Sequence, residues 1–391
     1  MQTDQIYRDT RIIVDLDQIA ANMRAIKEMV GDEVAVMAVV KANAYGLGSL
    51  AIAPTLMENG ASYLAVATLT EAIDLRLKYP DYPLFILGHT PDRYLHKVAE
   101  LNITQTVFSL HQARLLSDIS KELGTRTKIH VKLDTGFHRL GSEPTDGFAR
   151  DVEEMFGLEG IEVEGIFSHL ALASEEDDAK QYELLTGIIN RIESKGFKFK
   201  YKHIADSIAC VDSPELRMNM IRPGALIYGM RGFHKGNIDV ESAITFETAI
   251  SQIHKINKGD GVGYDFLWRA ERDSVVATLP FGYADGYPRQ MRDKGYVIIK
   301  GQRANIVGVL CMDQVIADVT DIKDVTEGDK AIIYGNGKDG SMTIQEASEL
   351  VGTNKNDIIC RLSARPPRVY IKKGTLNYRV GAKNPSITGD I

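Results

Sequence analysis

Lys41 stands where an apolar run stops. Residues 34–40 read VAVMAVV, which predicts a buried strand, and the lysine precedes a turn-prone stretch, Ala42-Asn43-Ala44-Tyr45-Gly46-Leu47-Gly48. An amine leaving such a strand is half desolvated. Desolvation disfavours the ammonium and yields the neutral nucleophile that a Schiff base requires. Position alone also allows a lysine that snorkels into water, so other residues must decide. Residues 132–141, KLDTGFHRLG, end a second apolar run in Asp134, Thr135 and Gly136, with Arg139 behind them. His169 closes the run GIFSH, Asp206 and Ser207 close YKHIADS, and Arg222 precedes Pro223 and Gly224. Arginine and backbone amides beside a glycine can hold a phosphate or a pyridine nitrogen. Each of these positions also fits an ordinary strand end. HExxH, GxSxG, a P-loop and a dinucleotide glycine fingerprint are absent. Dispersed strand-end residues must therefore supply the chemistry, and no metal is expected.

The elements that would position them follow from periodicity. Apolar runs at 34–40, 63–67, 84–87, 106–108, 128–133, 163–167, 198–204 and 219–221 alternate with helical patterns. These include 49–57, 69–77, a helix after Pro91, 110–123, one through Phe148, Val152 and Met155, and 179–192. Strand–helix alternation predicts a parallel sheet, and eight such units suit a (β/α)8 barrel, with a doubly wound sheet as the alternative. A barrel carries its site at the C-terminal strand ends, where Lys41 is placed. Before it, 11–15 is a short strand, and Ile19, Met23, Ile26 and Val30 mark a helix that Asp17 is expected to cap. Beyond residue 236 the pattern changes. Residues 244–256 alternate as one β segment, strands follow at 275–280, 297–300, 304–310, 315–319 and 331–334, and a helix spans 343–351. The fold class is α/β: a (β/α)8 barrel at 10–235 followed by a mainly β domain at 236–391, which strand 11–15 can join. The polar tail after Lys373 is expected to be loosely held.

Composition narrows the function. The 391 residues carry a formal net charge of -7, which argues against a general nucleic-acid or anionic-membrane binder. The three cysteines show no CxxC and no disulfide framework, which suits a reducing compartment. The polar N-terminus does not read as a signal peptide, and no apolar stretch approaches the roughly 20 residues of a membrane span. A cytoplasmic protein is expected.

Val39-Val40-Lys41-Ala42-Asn43-Ala44-Tyr45-Gly46 resembles the pyridoxal-phosphate lysine motif of alanine racemases. The resemblance extends through Lys132 to Gly136 with Arg139, Ser168-His169, Asp206-Ser207, Arg222-Pro223-Gly224 and Val262-Gly263-Tyr264. It continues in PFGYADG at 280–286 and in Cys311-Met312-Asp313-Gln314. It implies that Lys41 binds pyridoxal 5'-phosphate as a Schiff base and is one of two catalytic bases. Tyr264, from the partner subunit of a homodimer, would be the other. Arg222 would face the pyridine nitrogen. Tyr45, Ser207, Gly224 and Ala225 would hold the phosphate, and His169, also counted among the cofactor-binding residues, would form a chain with Arg222 that hydrogen-bonds to the Tyr264 phenolate. Arg139 would meet the cofactor's phenolic oxygen or the substrate carboxylate. Lys132 matches a lysine often carbamylated in the family. Met312 and Asp313 would line the substrate pocket across the dimer, and Tyr283 its entryway. The implied reaction is racemisation of L-alanine, supplying D-alanine for peptidoglycan.

Three departures stand out. Ala364 replaces a common tyrosine in the C-terminal segment Ala364-Arg365-Pro366-Pro367-Arg368, which suggests a roomier pocket and turnover of serine, lysine or other amino acids. Leu47 replaces a histidine. Asp206 replaces an asparagine near the phosphate, so its carboxylate is expected to point away or to accept backbone hydrogen bonds. A barrel-fold decarboxylase would instead carry a triple-glycine phosphate loop and an acidic residue where Arg222 stands.

Overall fold

Strands buried on both faces read as near-continuous apolar runs, and eight of them build the first sheet. A computed structural model describes residues 7–380, with backbone alone for 376–380. After β1 (Arg11–Asp15) come β2 (Ala35–Val39), β3 (Tyr63–Val66), β4 (Leu84–Ile86) and β5 (Thr104–Val107). Next are β6 (Thr127–Lys132), β7 (Ile161–Phe167), β8 (Tyr201–His203) and β9 (Met220–Ile221). Strands β2 to β9 form one parallel sheet in the order β8-β7-β6-β5-β4-β3-β2-β9, a nearly closed barrel. Side chain and backbone bridge the remaining seam. Asn219 Oδ1 accepts from Lys202 N (2.7 Å), and Arg222 N donates to Ala205 O (3.0 Å).

The helices between strands start on caps. Asp15, not Asp17, caps the first helix, α1 (Leu16–Val30): its carboxylate accepts from Asp17 N (2.9 Å) and Gln18 N (3.0 Å). Residue 15 lies on the less buried face of its strand, so its side chain is free to turn onto those amides. The helix Ser49–Glu58 tolerates Pro54 because Tyr79 Oη donates to Leu50 O (2.5 Å), the carbonyl that a proline four residues on cannot serve.

The second sheet has ten strands. The segment expected as one run at 244–256 is two strands, β10 (Ile244–Ala249) and Gln252–Ile256. They part at Ile250 and Ser251 to pair with different neighbours, Lys330–Tyr334 and Ser274–Leu279. Strand β1 lies in this sheet, antiparallel to β10 and parallel to Arg368–Lys372. The tail expected to be loose after Lys373 starts with a strand, Thr375–Val380, paired with Arg368–Lys372; 381–391 lie outside the described residues. The helix Lys355–Arg361 also escaped the periodicity. One apolar core runs through both sheets.

Candidate active site

Each strand end delivers its residue to one rim of the barrel. Lys41 lies two residues past the end of β2 and is half buried. Burial lowers its pKa, and the Arg139 cation lowers it further. Lys132, the last residue of β6, is 6 % exposed; burial, then Arg222 and Arg139, bring it down to about 7. His169 follows β7, and burial with the same cations pushes its pKa down to about 2, so the imidazole is neutral. Lys41, Lys132 and His169 all sense the charges of Arg139 and Arg222, so the fold gathers these five residues at one rim crowded with cations.

Arg222 is buried and stays protonated, with burial lowering its pKa only to about 10. Its Nη2 donates to Ser168 O (2.8 Å) and Ile204 O (2.9 Å) and reaches His169 Nδ1 at 3.3 Å. Its Nη1 lies 2.7 Å from His203 Nδ1. Arginine only donates, so both Nδ1 atoms accept. His203 Nε2 then donates to His130 Nδ1 (2.8 Å), and His130 Nε2 to Glu164 Oε2 (3.3 Å). Tyr63 Oη (2.6 Å), Lys128 Nζ (2.9 Å) and Lys200 Nζ (3.4 Å) also donate to Glu164. Proton positions along this buried chain are thus set by the guanidinium at its top. Gly165 makes room for it: a Cβ there would sit 2.7 Å from His130 Nδ1. The sequence signal was His130 amid the apolar residues of β6, and it had gone unused.

A polar cradle lies beside Lys41. Ser207 Oγ accepts from Gly224 N (2.8 Å) and Leu226 N (3.4 Å), which leaves its own proton to donate. Tyr45 Oη is so close to Gly224 that a Cβ there would lie 2.3 Å from it. Ala225 opens the short turn that follows. Asp206 accepts backbone hydrogen bonds, as expected: its Oδ1 takes them from Ile208 N (2.9 Å) and Ala209 N (3.0 Å). Leu47 is fully buried. Gln181 fixes the His169 backbone, with Nε2 donating to His169 O (3.1 Å).

The second domain's residues stand apart. Tyr264 is 65 % exposed and Met312 53 % exposed, with Phe266 and Leu267 also exposed. Gly282 packs on the 311–312 backbone so closely that a Cβ would lie 2.3 Å from Met312 O, and Ala284 N donates to that carbonyl (3.0 Å). The turn with Tyr283 thus rides on the loop with Met312 and Asp313. Arg365 Nη1 holds Asp313 Oδ1 (2.7 Å), and Arg8 grips the buried Asp285 with both nitrogens (2.6 and 2.7 Å). Ala364 is exposed.

A nearly closed parallel barrel with a half-buried lysine at its rim, followed by an appended β domain, defines the class of the fold. Comparison with known proteins places it further. Residues 14–232 match the family model for the alanine racemase N-terminal domain, and 243–370 that for the alanine racemase C-terminal domain. The chain belongs to the alanine racemase family. It is 41% identical to the alanine racemase of Clostridium tetani, over 95% of this chain and 97% of that one. It is 40% identical to alanine racemase 2 of Caldanaerobacter subterraneus, over 94% and 96%. Its fold superposes on the alanine racemase of Clostridium difficile with a TM-score of 0.92 at 32% identity, covering 97% of this chain and 100% of that one. The Bacillus anthracis alanine racemase with bound L-Ala-P gives 0.88 at 30%, covering 96% and 98%.

Proposed function

We propose that this chain interconverts L- and D-alanine as a homodimer, with pyridoxal 5'-phosphate carried on Lys41 and Tyr264 of each copy completing the other's site. The observation that carries the reading is the half-buried amine of Lys41 with its lowered pKa, ringed by Arg139, His169 and Arg222. The residues present fit the cofactor. Lys41 offers the amine, and Tyr45, Ser207, Gly224 and Ala225 offer a cradle where a β-carbon at 224 would intrude. When bound, the cofactor supplies the electron sink that lets the α-proton leave.

The chain's own groups then handle the proton. The Nζ of Lys41 would take it as an amine and return it as an ammonium on one face. The Tyr264 hydroxyl of the second copy would serve the other face, because inversion needs a base on each side. His169 Nδ1 accepts from Arg222, which leaves Nε2–H to donate to the tyrosine oxygen and favour its ionised form. Arg222, a lasting cation, would hold the ring nitrogen without protonating it. Arg139 would take the substrate carboxylate. The neutral amine of Lys132 is the form that adds carbon dioxide, forming an N–C bond and releasing a proton to solvent, and the resulting carbamate would give Arg139 an anionic partner. Exposure of Tyr264, Phe266, Leu267, Tyr283 and Met312 on one chain supports burial by a second copy. Three free cysteines, and the lack among the described residues of any helix long and apolar enough to cross a membrane, support a cytoplasmic location.

The test is chiral chromatography of products from the cofactor-loaded protein with L-alanine, L-serine, L-lysine and L-arginine in separate reactions. D-alanine is expected as the main product, and its absence would overturn the reading. The small side chain of Ala364 favours a second reading, a wider substrate range, which predicts D-serine or a longer D-amino acid as well.

A further inference from the structure

Ala42, Asn43, Ala44 and Tyr45 hold φ values of 52°, 55°, 54° and 57°. L-residues enter this region singly and rarely in runs. Such a turn persists only where its surroundings over-determine it. Part of the hold is local. Gly46 N donates to Ala42 O (2.7 Å), Gly48 N to Asn43 O (2.8 Å) and Ser49 N to Asn43 Oδ1 (2.9 Å). The carbonyls at its exit are held from the other domain. Arg368 Nε donates to Gly46 O (2.9 Å), and Tyr370 Oη to Leu47 O (2.6 Å). Both residues belong to strand Arg368–Lys372 and are 8 % and 1 % exposed. Arg368 also donates to Leu362 O (2.8 Å), Pro366 O (2.8 Å) and Ser363 O, so its fork is fixed before it meets the turn. Gly48 admits the tyrosine: a Cβ there would lie 1.8 Å from Tyr370 Oη.

We propose that Arg368 and Tyr370 are positioning residues that keep the left-handed turn wound, so that the second domain sets where the Lys41 amine points. This rests on reading Lys41 as the cofactor lysine. Neither residue touches a reacting atom. Each acts on a backbone carbonyl, five or six residues downstream of the lysine. If the turn relaxes, Lys41 and Tyr45 move together, since one begins the turn and the other ends it.

Tyr370→Phe removes the hydroxyl and leaves the ring in the core. Three measurements on the holoenzyme test the proposal: amide hydrogen exchange over 42–50, release of pyridoxal phosphate to hydroxylamine, and kcat against KM. Exchange over 42–50 should accelerate about tenfold while that over β5 stays as it was. Cofactor release should quicken about fivefold. The value of kcat should fall about fivefold with KM within twofold, since the amine and not the substrate pocket is disturbed. Arg368→Lys should lie between wild type and Arg368→Ala in all three. If Arg368→Ala does not fold, Tyr370→Phe still decides. Unchanged exchange over 42–50 with unchanged cofactor release in Tyr370→Phe would overturn the proposal, whatever the melting temperature did. A wild-type protein that bound no pyridoxal phosphate would refute the function proposed above instead. Exchange over 42–50 would still report on the turn.

Discussion

Two turns carry the two proposed bases, and both are wound the rare way. Around Lys41, four consecutive non-glycine residues have positive φ. Around Tyr264, Gly263, Asp265 and Phe266 have φ of 71°, 58° and 44°. Left-handed conformations cost about 1–2 kcal/mol per non-glycine residue, so each turn needs support. The lysine turn has it within the chain. Glu71 Oε1 accepts from Ala42 N (2.6 Å), Arg368 and Tyr370 hold its exit, and Ala44 and Tyr45 are buried. The tyrosine turn projects from the short ribbon Gly261–Val262 and Trp268–Arg269, with Tyr264, Phe266 and Leu267 all more than half exposed. On the function proposed above, one half of the site is finished by folding, and the other waits for a second copy to close over it.

The largest effect expected breaks the comparison if it fails. Lys41→Ala should lower kcat/KM by ~10^4-fold, and Tyr264→Phe by ~10^3-fold, in line with the loss of a proton-transferring group. Co-expressing the two inactive chains should return about a quarter of wild-type activity. About half of the dimers would be mixed, each with one intact site of two. No recovery in a purified mixed dimer would mean that Tyr264 serves its own chain, and the contrast between finished and waiting halves would fall.

Glu71 and Phe266 give the next test. Glu71 Oε2 also accepts from Ala67 N (2.8 Å), so its carboxylate ties the end of β3 to the lysine turn. Glu71→Gln presents an N–H to one of these amides and should cost about 2 kcal/mol of stability. Urea midpoints should show that loss at every protein concentration, with kcat down about tenfold. Phe266→Ala should change the stability of the isolated chain by less than about 0.5 kcal/mol, as for exposed positions. It should instead weaken dimerisation in sedimentation equilibrium. Equal behaviour of the two variants would erase the distinction between the turns.

Most of the barrel was legible because its strands are buried on both faces and its helices are not. The strand ends that the sequence marked at Lys41, Lys132, His169 and Arg222 do meet at one rim, and Asp206 accepts backbone amides as its charge required. What supports the lysine was harder to read. The capping pair Thr68 and Glu71 looks local, yet Glu71 spends its second oxygen on a turn 29 residues earlier. Arg368 and Tyr370 sit on a strand that no alternation marked, and their partners are more than 320 residues away. The long run at 244–256 misled because alternation gives the face of a residue but not its neighbour strand, and the break at Ile250 changes only the neighbour. Tyr264 was legible as a motif and not as geometry, since on the function proposed above the surface it meets belongs to a second copy.

Charge separates the two regions as well. The barrel rim crowds cations, and Lys132 bears the consequence, with a pKa brought down to about 7 by burial and then by Arg222 and Arg139. In the unfolded chain it returns to its ordinary 10.5. Between those values the unfolded state binds a proton that the folded state does not, so stability rises with pH across that window. The penalty is complete below pH 7, where both states are protonated, and is gone near pH 10.5. Relative to Lys132→Met, which has no charge to bury, the wild-type chain should gain about 2 kcal/mol of stability from pH 7 to pH 9. The measurement is a pair of urea titrations in carbon-dioxide-free buffer, so that the amine stays unmodified. Phe266→Ala is the control from the exposed turn and should track wild type across the same pH range. A flat difference between wild type and Lys132→Met would mean that Lys132 reaches water and that burial beside Arg222 and Arg139 does not hold its pKa down.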